Sequence, residues 1–156
     1  NVDAATMTGP SGGTRAAAQG FRYVVYGRDL QIPFAAATLI TRRSLLNTHG
    51  PAIEKFFRAT AEAMKIMFLD KELTYKVLAK QLRINDRKLL DAAYDEEIKV
   101  MERRLEFKNE AFQAIIDETS KVDARAKKLK PQDFVDRRYL DGLQKSGFFD
   151  KLWSGK

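Results

Sequence analysis

Four residues near the start of the chain have side chains and spacing suited to holding a small polar ligand: Thr6, Thr8, Gly9 and Ser11. They fall where a predicted strand, residues 2–8, meets a loop of small residues that leads into a short helix. Free backbone N–H groups point outward at such a junction, and a helix N-terminus favours an anion by about 0.3–1 kcal/mol. The same residues also suit an ordinary strand-to-helix turn, and both interpretations stay open.

Two arginines and one histidine are the other polar residues with possible chemistry. Arg42 and Arg43 follow a predicted strand, and guanidinium donors suit a carboxylate, sulfonate or phosphate. The polar edge of a helix start is the commoner role for such arginines, and we favour it. His49 precedes Gly50-Pro51 and is interpreted as a surface turn residue, because no partner base or metal-ligand set accompanies it. We therefore expect no catalytic residue, no metal site and no cofactor.

Composition describes an ordinary globular chain with a moderate basic excess. The 156 residues are 44% hydrophobic and 31% charged, with no cysteine and a net charge of +7. The excess is spread out, and only residues 121–130 form a dense basic run. Such a run is usually a solvated linker, which we favour, and nucleic-acid binding is the alternative.

The elements predicted to position these residues are strands first and helices afterwards. Further strands are expected at 21–26 and 34–41, because both are rich in aromatic or β-branched residues, and together they predict an α/β fold. From Pro51 onward the apolar period changes to that of helices. Predicted boundaries are the N-caps Asp70, Asp86 and Asp136, a helix start at Asn109 and a stop at Gly147. The helix after Asp70 is expected to face inward with Leu73, Val77, Leu78 and Leu82.

Several sequence blocks, taken in order, resemble a known family. These are Val2-Asp3-Ala4 before the loop, residues 39–45, residues 53–59, residues 77–86 and a C-terminal block over residues 133–150. The last, which begins Asp133-Phe134-Val135-Asp136-Arg137, is the most specific. Together they resemble ABC-transporter substrate-binding proteins of the nitrate/sulfonate/taurine and thiamine-pyrimidine type.

The resemblance implies an incomplete type II periplasmic-binding-protein-like fold. Residues 1–30 would end the second lobe, and residues 31–156 would form the return crossing and the C-terminal helices of the first lobe. The implied function is the solute-binding component of an ABC importer, which captures a small anionic or heterocyclic nutrient and delivers it to a membrane permease. The implied location is periplasmic or extracytoplasmic, with a lipid anchor possible in a longer protein.

Two further expectations concern partners. No nucleic acid is expected, although a basic helical nucleic-acid-binding module or a regulatory effector domain is the alternative function. If the chain is part of a larger protein, its strand edges need covering, and a strand-exchanged homodimer is predicted.

Overall fold

The computed structural model of the chain describes residues 3–7, 10–30 and 38–155. The α-helices in these residues are α1 Pro10–Ala18, α2 Arg43–Thr48, α3 Gly50–Leu69, α4 Lys71–Leu82, α5 Arg87–Val100, α6 Asn109–Ser120, α7 Arg138–Lys145 and α8 Phe148–Trp153. Short 3-10 helices occupy Gly27–Leu30, Ala124–Lys128 and Pro131–Asp133.

The N-caps predicted at Asp70 and Asp86 are confirmed by hydrogen bonds at the helix ends, whereas α7 has Arg137 rather than the predicted Asp136 at its N-cap. Asp70 accepts a hydrogen bond from the Leu73 N–H at 2.8 Å and so caps α4. Asp86 does the same for α5, accepting from the Lys88 N–H at 2.9 Å. Gly147 separates α7 from α8 with a φ of +70°, a left-handed conformation that glycine adopts without a Cβ penalty. These ends form as expected because a cap needs only residues adjacent in sequence.

The prediction of an α/β fold is wrong for the described part of the chain, which is all-α and contains no strand or sheet. Residues 3–7, 21–26 and 38–41 have no regular secondary structure; the rest of the first and third predicted strands lies outside the described residues. Tyr23 and Tyr26 stack with ring centroids 4.2 Å apart. Side chains three apart in a strand point to opposite faces, so this contact excludes a strand there.

The helices divide into two compact units, each with its own core. The first contains the described residues of 1–29 and 66–101, so that α1, α4 and α5 belong to it. Its core is built from Tyr75, Leu90 and Tyr94. The Tyr94 hydroxyl donates to the Met67 carbonyl at 2.6 Å, which satisfies its polar end while the ring is buried.

The inward face of α4 differs from the predicted one except at Leu78, which packs against the core. Leu73, Val77 and Leu82 are 42%, 50% and 55% exposed, whereas Thr74 and Tyr75 are buried. The Thr74 hydroxyl donates to the Asp70 carbonyl, so it is buried without an unpaired polar atom. Aliphatic content alone therefore placed the apolar stripe on the wrong side of the helix.

The second unit contains the described residues of 30–65 and 102–155. Leu143 and Phe149 are 0% and 1% exposed and pack with Ala61 and Leu140. The aromatic C-terminal segment therefore packs on the core of this unit. The Trp153 indole N–H donates to the Arg103 carbonyl at 3.1 Å and fixes the end of α8.

Candidate functional site

The predicted ligand loop is not assembled by the described contacts. Thr6 is exposed in a segment without regular structure, and Thr8 and Gly9 lie outside the described residues. Helix α1 begins at Pro10, so Ser11 belongs to a helix rather than to a loop, and its side chain is outside the described set. Proline suits the first turn of a helix because that turn needs no N–H donor there.

A groove in the second unit brings together polar groups that the sequence analysis considered separately. It is open, has a volume of about 540 Å³, and is lined by Thr41, Arg42, Ser44, Leu45, Thr48 and His49. Its size is in the range of sites for small molecules, which are typically about 300–1,000 Å³. Helix α2 supplies one wall, and the residues that flank the helix complete the lining.

Helix α2 is held in place by polar contacts, since it has no buried residue of its own. The Arg43 guanidinium donates to the Asp133 carbonyl at 3.2 Å. Arg138 donates to the Asn47 side chain at 2.7 Å, and the Tyr139 hydroxyl donates to the Leu46 carbonyl. These bonds attach one side of α2 to α7 and to the 3-10 helix Pro131–Asp133.

The two neighbouring arginines consequently have different roles. Arg43 is used to attach α2, whereas Arg42 precedes the helix with an extended backbone (φ −76°, ψ 141°) and lines the groove. In the described part of the chain, no hydrogen bond or ion pair engages the Arg42 guanidinium. Its five N–H donors are thus available to a ligand.

The hydrogen bonds of Thr48 determine how His49 presents its ring. The Thr48 hydroxyl lies 3.0 Å from the Ser44 carbonyl and 2.7 Å from His49 Nδ1. A hydroxyl has one proton, and when it donates to the carbonyl, Nδ1 must be the donor to the hydroxyl oxygen. In the neutral ring this leaves Nε2 as a hydrogen-bond acceptor. The groove therefore combines a guanidinium-bearing residue and an imidazole-bearing residue in its lining.

A second polar cluster joins α4 to α5 in the first unit. The Lys71 ammonium lies 3.2 Å from Asp91 and 2.9 Å from Asp95, and the Tyr75 hydroxyl donates to Asp91. The Tyr75 hydrogen bond and then Lys71 hold the pKa of Asp91 below its usual value. Burial, followed by the bond to Asp91, raises the pKa of Tyr75.

A further ion pair, between Arg87 and Glu72, belongs to the same cluster. Arg87 donates to Glu72 at 3.0 Å, and its guanidinium carbon lies 4.1 Å from the centre of the Tyr75 ring. Each charged group already has an opposite charge beside it, so the cluster has no unsatisfied group to offer a ligand. We assign it to helix pairing rather than to binding.

Sequence reasoning noted Arg42 and His49 but did not join them. The available signal was their short separation in sequence: they lie at the two ends of one short helix, close enough to line the same groove. Tyr75 and Asp91 were missed altogether, because they lie sixteen positions apart and meet only when α4 packs on α5.

No protein-family model matches the chain, and comparisons with curated proteins and with solved structures found no significant match. In the residues that the structure describes, no group of three or more histidine, cysteine or acidic side chains is arranged to hold a metal ion. A separate finding is that none of the helices described here has the length and apolarity needed to cross a bilayer.

Proposed function

We propose that this chain belongs to the solute-binding component of an ABC importer and that it binds a small anionic nutrient. The observation that carries the proposal is the groove at α2, where Arg42 and His49 both belong to the lining. The ordered sequence blocks that resemble substrate-binding proteins support the transport role. Delivery to a membrane permease and an extracytoplasmic location are parts of the same proposal.

The groove favours a ligand that combines an oxyanion with a hydrogen-bond donor. Arg42 suits a carboxylate, sulfonate or phosphate through two parallel N–H donors. In the tautomer with its proton on Nδ1, the His49 ring accepts a hydrogen bond at Nε2 from a hydroxyl, amine or ring N–H of the ligand. Leu45 adds an apolar wall. A hydroxy acid, an amino sulfonate or a heterocycle carrying an anionic group meets these requirements.

The proposal is tested by calorimetric titration with a panel of small oxyanions, including phosphate, sulfate, an aminoalkyl sulfonate and a hydroxy acid. Arg42→Ala is the informative variant. A hydrogen bond to a charged group contributes about 1.5–3 kcal/mol, and the open groove places this contact near the lower end, so we expect affinity to fall about tenfold. Lys55→Ala is the matched control, because it removes one positive charge from an exposed position on α3.

The titration also separates the groove from the predicted ligand loop. Thr8→Ala should leave affinity unchanged if the ligand binds at α2, whereas it should weaken binding if the loop of Thr6, Thr8, Gly9 and Ser11 is the site. Binding that survives Arg42→Ala but not Thr8→Ala would move the site to the loop. Absence of binding to every oxyanion in the panel would refute the proposed function.

A further inference from the structure

The dense basic run of residues 121–130 presents three lysines without acidic partners. Lys121 pairs with Glu118, and Arg125 donates to Asp123 at 2.7 Å. Lys127, Lys128 and Lys130 are exposed, and within the described residues none of their ammonium groups makes an ion pair. The positive charge that remains available therefore lies at the C-terminal end of the run.

The fold holds Lys127 and Lys128 on a short, well-defined element rather than on a loose linker, and Lys130 follows two residues after its end. Asp123 accepts a hydrogen bond from the Arg125 N–H at 2.9 Å and starts the 3-10 helix Ala124–Lys128. Ala126 is 4% exposed and anchors the helix, which packs against α6. With three residues per turn, anchoring one position directs Lys127 and Lys128 away from α6. A five-residue 3-10 helix is only about 10 Å long, so the charges are close together.

Exposed apolar side chains lie among these lysines. Val122, directly after Lys121, is 89% exposed, and Leu129, between Lys128 and Lys130, is 38% exposed. Only Leu129 lies directly between unpaired lysines, and Val122 lies at the start of the same run, beside the paired Lys121. Exposed aliphatic groups in a basic segment are typical of surfaces that enter a membrane interface, where the apolar groups leave water and the cations meet anionic headgroups. We call residues 121–130 the basic ridge.

We propose that the basic ridge binds the surface of an anionic phospholipid bilayer. The unpaired lysines supply the charge complementarity, and Val122 and Leu129 enter the headgroup boundary. Nucleic acid fits less well, because the ridge offers no aromatic residue for stacking on bases and its exposed aliphatic groups would stay in water on a phosphate backbone. This contact is independent of solute binding at α2.

The test measures co-sedimentation of the full chain with phosphatidylcholine vesicles that contain or lack phosphatidylglycerol, at low and at high salt. We expect binding only to the anionic vesicles, weakening as salt rises. Each lysine near such a surface contributes about fivefold in partitioning, so Lys127→Glu with Lys128→Glu should reduce binding at least about 25-fold. Lys55→Glu with Lys76→Glu changes the net charge equally at exposed positions elsewhere and should reduce it much less.

The apolar part of the proposal has its own pair of variants. Val122→Ser should weaken binding roughly fivefold, because it removes apolar surface that the membrane would bury. Val100→Ser, at a position 63% exposed at the end of α5, should leave binding unchanged. Circular dichroism shows whether each variant keeps its helices.

Three results would overturn the proposal. These are absence of binding to anionic vesicles at low salt, equal losses for the two double variants, and tighter binding to duplex DNA than to the vesicles. The last result would assign the ridge to nucleic acid instead.

Discussion

Truncation of Leu143 to alanine tests whether the second unit is held by the core described above. Leu143 is 0% exposed and packs with Phe149, Leu140 and Ala61, so the change removes three buried carbon atoms from a closed environment. Ala61 and Phe149, which pack on Leu143 from two other helices, are helical residues whose backbones cannot move far to fill the space. Substitutions of this kind cost about 2–5 kcal/mol, the sum of lost transfer free energy and a residual cavity.

The cost is large compared with the stability of a chain of this size. Domains unfold with about 5–15 kcal/mol, so Leu143→Ala should remove a substantial part of it. For 150–250 residues, 1 kcal/mol moves the melting temperature by about 2–4 °C, and a cost of about 3 kcal/mol predicts a decrease of about 6–12 °C. The assay is thermal and urea unfolding followed by circular dichroism at 222 nm, a wavelength that reports helix content.

Leu82→Ala is the matched control, because it makes the same chemical change in α4 at a side chain that is 55% exposed. Surface substitutions usually change stability by no more than about 0.5 kcal/mol, and alanine is at least as good a helix former as leucine. The reasoning would be refuted if the two variants unfolded at the same midpoint. It would also be refuted if Leu143→Ala lost less than about 1 kcal/mol.

Two further predictions concern backbone conformation and pH. Gly142→Ala should stabilise α7 by up to about 1 kcal/mol, since nothing lies within 4 Å of the added Cβ and alanine is the better helix former; Gly147→Ala should destabilise, because its φ of +70° disfavours a side chain. Urea unfolding checks this pair: relative to the wild type, the midpoint should rise for Gly142→Ala and fall for Gly147→Ala. The low folded-state pKa of Asp91, caused first by Tyr75 and then by Lys71, gives stability that is present above the ordinary value of 3.8 and is lost as pH falls through the lower folded value. The stability gap between the wild type and Asp91→Asn should therefore narrow below about pH 4, and a gap independent of pH would contradict the assignment.

Helix ends were predictable because their stabilising contacts are local. Asp70 caps a donor three residues ahead, and Gly147 ends a helix by its own backbone freedom. Neither contact depends on a distant partner. The sequence analysis therefore located these boundaries within a residue or two.

The strand predictions were wrong because the contacts that stabilise a strand are not local. Residues 21–26 have the composition of a strand, but a strand is stable only when another strand satisfies its backbone groups. The described residues supply no such partner, and Val24 and Val25 stay 89% and 62% exposed. Strand propensity without pairing gave a wrong fold class.

The candidate site likewise combines features that follow from the sequence with features that follow only from the packing of the helices. Sequence alone determined the reactive groups available: one histidine, a pair of adjacent arginines, no thiol and a basic run near residue 125. Only the tertiary structure decided that Arg43 is used to attach α2 while Arg42 lines the groove, and that Tyr75 meets Asp91 across two helices. The physical reason is that side-chain type and short-range backbone preference are written residue by residue, whereas the direction of a side chain and its partners follow from how distant helices pack.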